Sequence, residues 1–369
     1  MVELAVNQQD LLAQYLRGFE SLIGDRRTGE LFGQTVLGII GSESLVAARI
    51  AAHSPILATK NHNGAQRVRR MASGDTTKRS YIDAEHLVAR LQARGVEQLR
   101  GESEVWVIVD PSELRKPYAH EMENLMKVRA LDEGGMVAGY RTLNALGIGR
   151  GGKRGILYHR LFSSTAPDFD SESLEIQRAL NSIGQALCEH KGKLTYIMDT
   201  QFDDIAVWGT IWEQQNHVVC RLKHQDRLVE VAEARPEGGE PVWRQVPIGE
   251  AKALVRRLAR VRTEMLVQKR GQKYKKRQPV NVVIGACRVR VRYQVDIRTR
   301  GDGEVRQKDA WLVLVELENV DSEPWLLLTD WPVEDAESAE RVFRMYRARW
   351  AVEIGQPQCP RTDHRSALE

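Results

Sequence analysis

Residues 104–116 read EVWVIVDPSELRK, and residues 193–204 read KLTYIMDTQFDD. Each is a short apolar run that closes on an acid, Asp110 in the first and Asp199 in the second. The first is rich in β-branched residues and is followed by Pro and Ser, the punctuation of a strand running into a turn. Between the two runs, residues 138–149 (AGYRTLNALGIG) and 154–164 (RGILYHRLFSS) read as two further strands. The glycine-rich GIGRGGKRG that joins them lacks the terminal GK[ST] of a phosphate loop and reads as a tight turn. Residues 171–192 form an amphipathic helical pattern with serine at its start and glycine at its end. IAVWGTIWEQQN at 205–216 reads as a helix and HVVCRLKH at 217–224 as another buried strand. The order strand, strand, strand, helix, strand, helix, strand predicts a mixed α/β sheet.

Outward from this centre the character changes on both sides. Residues 1–100 read as helical, with apolar residues at helix spacing in LLAQYLRGFESLI and AEHLVARLQARGV. Between them, Ser42 or Ser44 is placed to cap a short helix. Arg67, Arg69 and Arg70 cluster in NHNGAQRVRRMASG, a pattern shared by DNA-binding modules and by plain helices with a charged outer face. After residue 222 the sequence is β-rich, with strand-like runs at 229–235, 242–248, 280–300 and 310–319, interrupted by an expected basic helix near 249–268. Residues 335–354 read as a helix, and the last fifteen residues are polar and carry Pro357 and Pro360.

The chain has 369 residues, 42% hydrophobic and 28% charged, which excludes a disordered or collagen-like chain. No run approaches the ~18 consecutive apolar residues of a membrane span, so no membrane partner is expected. The N-terminus lacks the basic start and apolar core of a signal peptide. The cysteines Cys188, Cys220, Cys287 and Cys359 are scattered with no CxxC pair, which fits a reducing cytoplasm. Net charge is +4 and the isoelectric point about 8.8. From Lys252 to Arg277 there are eleven Lys or Arg residues against one acid, Glu264. Lys269, Arg270, Lys273, Lys275, Lys276 and Arg277 form the densest part. Such density suits a polyanion through phosphate contacts and counterion release, although a solvated surface has the same composition.

Residues at the carboxyl ends of sheet strands lie along one edge, where α/β proteins build their sites. A turn alone accounts for either aspartate, since turns favour the residue; two in the same register point to a site. Carboxylates that converge repel unless cations neutralise them. An oxygen-rich set suits Mg²⁺ or Mn²⁺, and two such ions can activate a water or a 3′-hydroxyl for phosphodiester chemistry. On the late helix, Tyr346, Arg349 and Glu353 fall at i, i+3 and i+7, on one face. Glu353 is the third candidate metal ligand, and Arg349 can fork two hydrogen bonds to a phosphate.

With VIVDPSELRKP around Asp110, YIMDTQFDD around Asp199 and YRARWAVE at 346–353, the chain resembles the DDE-type transposases of bacterial insertion sequences, and within them the insertion-sequence-four group. The resemblance covers about residues 10–354. It implies an RNase H-like mixed sheet with flanking helices, a helical N-terminal domain and a β-rich insertion. The implied domains are 1–100 for DNA binding, 101–221 for the first part of the catalytic domain, 222–332 for the insertion, 333–354 for the catalytic helix and 355–369 for an irregular tail. It implies a catalytic triad of Asp110, Asp199 and Glu353 holding two Mg²⁺ or Mn²⁺ ions. It also implies DNA contacts by Tyr346 and Arg349, with Lys116 and the basic cluster on phosphates. The implied partner is double-stranded DNA, both element ends and target, bound by a homodimer in the cytoplasm at the nucleoid. In relatives an insertion tryptophan can stack on a flipped base; Trp243, Trp311, Trp325 and Trp331 lie here, and core packing is the more ordinary role of each. The family pattern places a lysine seven residues after the glutamate, where this chain has Pro360; Gly355 and Pro357 are expected to end the helix one turn after Glu353. The tail thus reads as an early end to the family's sequence. That leaves two functional expectations: cut-and-paste DNA transposition with impaired activity, or a non-catalytic protein that binds element ends and inhibits full-length relatives.

Overall fold

The computed structural model describes residues 6–54, 62–73, 82–119, 121–130, 134–190, 192–233, 241–267, 276–294, 304–320 and 323–350. The chain divides into two compact units, Met1–Ala93 and Arg94–Glu369.

The first unit contains helices α1 (Val6–Arg17), α2 (Arg26–Ser42), α3 (Ala47–Ala52) and α4 (His62–Met71), and the start of α5 (Ala84–Leu99). The side chain of Asp25 caps α2 by accepting from the Thr28 N–H at 2.9 Å. Leu31, Ile50, Ala51, Val68 and Met71 close a small core. The expected cap at Ser42 or Ser44 does not occur as such. Helix α2 runs on through Ser42, and α3 starts after Val46, whose N–H donates to Ser44 Oγ at 3.2 Å.

The second unit is mixed α/β, built among the described residues on one sheet of twelve strands. Its strands are β1 (Val105–Arg115), β2 (Met126–Arg129), β3 (Met136–Gly149), β4 (Arg154–Phe162), β5 (Leu194–Met198) and β6 (His217–Arg221). They continue as β7 (Leu228–Glu233), β8 (Val242–Pro247), β9 (Arg256–Val267), β10 (Lys276–Gln294), β11 (Val305–Leu317) and β12 (Trp325–Thr329). The order is β2-β3-β1-β5-β6-β12-β11-β10-β7-β8, with β4 on β3 and β9 on β10. Strands β1, β5 and β6 are parallel; the other pairs are antiparallel. Helices α6 (Glu172–Ala186) and α7 (Ile205–Glu213) cover one face, and α9 (Ala336–Ala348) the other; α8 (Ile248–Ala251) is a single turn. Among the described residues no helix is long and apolar enough to cross a membrane.

The two-sided burial follows from the sequence. Val105, Val107 and Val109 of β1 join the core under α6 and α7, while Ile108 joins the core under α9. A continuous apolar run is what a central parallel strand needs. Ser171 caps α6, Asp204 caps α7, and Asp335 with Ser338 forms a capping box at α9. Helix α5 crosses β4 at two glycines: a Cβ on Gly95 would stand 2.1 Å from the Ile156 carbonyl oxygen, and one on Gly155 2.4 Å from that of Gly95.

The basic helix expected near 249–268 is corrected. Only Ile248–Ala251 is α-helical, followed by a 3₁₀ turn, and Arg256–Val267 is strand β9 paired with β10. Its charge hid a period of two: Ala259, Val261 and Met265 pack into the core under α9, and Arg260 and Arg262 alternate with them. The GIGRGGKRG segment is the expected turn, closed by the Gly149 N–H on the Lys153 carbonyl at 2.9 Å with Gly152 at φ +83°.

Candidate active site

Asp110 does not end its strand, as the sequence had suggested. Strand β1 continues through it to Arg115, paired throughout with β3, while its parallel pairing to β5 stops at Ile108 opposite Ile197. Asp110 therefore lies just past the point where β1 leaves β5, and Pro111, which has no N–H, follows it there. Asp199 lies one residue beyond β5 and accepts from the Thr200 N–H at 2.7 Å, capping a 3₁₀ turn. The β1–β5 register, continued by two residues, sets Asp110 opposite Asp199. Both fall on the pleat of Ile108 and Ile197, the α9 face.

Helix α9 presents Ala339, Val342, Phe343 and Tyr346 to that face. The Tyr346 ring is fully buried, 5.5 Å from Trp325, and its hydroxyl lies 3.4 Å from Asp199 Oδ1. Burial pushes the Tyr346 hydroxyl well above its ordinary range, and the Asp199 charge adds to this, so the group stays protonated and donates. Arg349 follows at the C-cap and is 8% exposed. Its Nη1 stands 3.3 Å from Asp110 Oδ1 and its Nη2 3.4 Å from Asp199 Oδ2. One guanidinium thus spans both carboxylates. Trp350 packs edge-on against Trp325 at 5.1 Å and holds the helix end in place.

The fold brings together four of the predicted residues: Asp110, Asp199, Tyr346 and Arg349. Glu353 lies outside the described residues, as do Lys269, Arg270, Lys273 and Lys275. Lys276 opens β10, and Arg277 beside it is exposed. Lys116 is six residues beyond Asp110 on an extended chain, roughly 20 Å away at about 3.3 Å per residue, so it is not part of the carboxylate pair. Arg67, Arg69 and Arg70 belong to α4 of the first unit, with Arg69 and Arg70 exposed and Arg67 half-buried. Of the four tryptophans, Trp311 and Trp325 are buried in the core under α9. Trp243 lies beneath Arg290 at 4.0 Å, and Trp331 stacks on His217 at 3.9 Å.

Two residues were missed. Asn144 pairs with Asp110 across β1 and β3, and His159 pairs with Asn144 across β3 and β4. His159 Nδ1 and Asn144 Oδ1 are 2.7 Å apart. Directly opposed residues share a face, so this polar row continues from the aspartates. The signal was a polar residue set between apolar ones, Asn144 in LNAL and His159 after Tyr158, legible only once the strands were in register.

Among the described residues no group of three or more His, Cys, Asp or Glu side chains could hold a metal. Two adjacent, partly exposed carboxylates do suit Mg²⁺, which keeps several waters and is commonly held by one or two carboxylates plus substrate phosphate. That both form ion pairs with one guanidinium indicates a place where a cation is held jointly.

No family model matches the chain, and no curated protein matches it. Among solved structures, the chain is similar to a chain of the pre-cleavage Mos1 transpososome, at 12% identity and a TM-score of 0.20, covering 59% of this chain and 78% of that one. A TM-score of 0.20 is too low to fix a shared fold, so the reading of the site rests on its own geometry.

Proposed function

We propose that the protein is a DNA transposase of the DDE type, in the insertion-sequence-four group, cleaving and joining DNA strands at element ends. The observation that carries this reading is the juxtaposition of Asp110 and Asp199 under the helix that bears Tyr346 and Arg349. The sheet with β1, β5 and β6 parallel is then the RNase H-like core, and residues 222–332 its β-rich insertion. The helical first unit, with the α4 arginines, is read as the end-binding domain. Asp110 and Asp199 would hold Mg²⁺ or Mn²⁺, with Glu353 as the third ligand. Bound there, the ions supply an activated water or 3′-hydroxyl and stabilise the leaving oxygen. Arg349 offers a planar fork to a non-bridging phosphate oxygen pair, and Tyr346 keeps Asp199 turned toward the site by donating to it. Double-stranded DNA is the partner, bound by two copies of the chain.

The test is strand transfer of a pre-cut element end, taken from inverted repeats flanking the gene, with Mn²⁺. Product formation that disappears in Asp110→Ala is the expected result. End binding without any cleavage would point instead to a non-catalytic end-binding protein. Cleavage indifferent to end sequence would point to a general nuclease.

A further inference from the structure

The guanidinium of Arg349 sits where the carboxylate pair would take its cation, with one nitrogen toward each aspartate. An arginine cannot lose its charge at any accessible pH, so the pair is released to another cation only if the side chain moves away. A divalent ion on the same oxygens would stand a few ångströms from a fixed positive charge, a strongly unfavourable placement at the low effective dielectric of a half-buried site. The backbone beneath is fixed, since Tyr346 is buried and Trp350 packs on Trp325. The long side chain, with several rotatable bonds, is the part that can exchange partners without moving that backbone. Its contacts to the aspartates, at 3.3 and 3.4 Å, are longer than the ~2.7–2.9 Å of a closed charge-assisted pair. A DNA phosphate offers the same fork a doubly matched acceptor.

We propose that Arg349 clasps Asp110 and Asp199 until a DNA phosphate draws it off, so that the divalent-cation site opens only when substrate is bound. The inference rests on the reading of Asp110 and Asp199 as the cation ligands. In it Arg349 is a positioning residue: it keeps the hydrolytic centre closed to cations in the free protein and exchanges the two carboxylates for a phosphate. Coupling of this kind is reciprocal, so DNA tightens cation binding by the same factor that the cation tightens DNA binding.

The experiment is a calorimetric titration of the full chain with Mn²⁺, with and without duplex DNA, in the wild type, Arg349→Gln and Asp110→Asn. The expected result is that Arg349→Gln binds Mn²⁺ more tightly than the wild type in the absence of DNA, by about 5- to 150-fold, the usual span of coupling between sites. A residue with a merely structural role would move the affinity the other way. DNA should tighten Mn²⁺ binding to the wild type by a similar factor and leave Arg349→Gln nearly unchanged. Equal or weaker binding by Arg349→Gln, with binding still lost in Asp110→Asn, overturns the clasp and leaves the cation site standing. Unchanged binding in Asp110→Asn overturns both. Should Arg349→Gln fail to fold, the wild type decides alone: a Mn²⁺ affinity indifferent to DNA overturns the proposal.

Discussion

Asp199 and Asp203 stand four residues apart in one loop, and each meets an arginine, but the two pairs are built differently. The Asp203 side chain is 0% exposed. It accepts the N–H groups of Lys223 and His224 at 2.6 and 2.8 Å and the guanidinium of Arg227. Arg227 in turn donates to the Asp203 carbonyl at 2.9 Å and lies 4.6 Å over the Trp208 ring. Both carboxylate oxygens are partnered and neither is exposed to solvent. Asp199 is 28% exposed and Asp110 20%; they share one guanidinium at longer range. The first pair is sealed and serves the fold, holding the start of α7 to the β6–β7 connection. The second is more exposed and held at longer range. Number and length of contacts, rather than charge type, separate a structural ion pair from one that can change partners.

The comparison can be broken most sharply by removing one acid from each side. Asp110→Ala should slow Mn²⁺-dependent cleavage by at least about a thousandfold, several kcal/mol of barrier. In the same variant, stability to urea should fall by no more than about 1 kcal/mol, because the lost ion pair is partly exposed. Asp203→Ala should do the reverse. It removes the fully buried acid that holds Arg227 and the N–H groups of Lys223 and His224, a change that typically costs about 3–5 kcal/mol, measured as a shifted urea midpoint. A smaller effect is expected at Tyr346→Phe. That variant keeps the ring against Trp325 and loses one long hydrogen bond, about 0.5–1.5 kcal/mol of stability by the same measurement.

The smallest effect is a pH dependence at the far end of α9. The side-chain and backbone groups of Ser338 hold the Asp335 carboxyl below its ordinary range. A carboxylate lowered in the folded state contributes stability that is complete above its unfolded pKa and is lost as pH falls through the folded one. Asp335→Asn keeps a capping side chain that does not titrate. It should therefore flatten the acid limb of a stability–pH curve and leave neutral stability nearly unchanged.

How much of this was legible in the sequence depended on whether the signal was local. Each of the two central strands is a mostly apolar run of five residues before an aspartate, Val105–Val109 and Leu194–Met198, which is what set the two acids at the same register. The spacing of Tyr346 and Arg349 placed both on one helical face, and the fold brings both to Asp199. Strand β9 was misread because its arginines suggested a helix while its apolar residues alternated at period two. The row formed by Asn144 and His159 depends on pairing across two strand junctions, one with a register shift between Ala145 and Leu146, which no local pattern encodes. The sharing of Arg349 between two aspartates more than 80 residues apart in sequence is likewise a product of tertiary packing.

The central claim is that Asp110 and Asp199 together hold the cations for phosphodiester chemistry. It is tested most directly by Mn²⁺-dependent strand cleavage at an element end, compared in the wild type, Asp110→Asn and Asp199→Asn. The account predicts cleavage by the wild type and a loss of about a thousandfold or more in each variant, with both variants folded. Cleavage at the wild-type rate in either variant would contradict it.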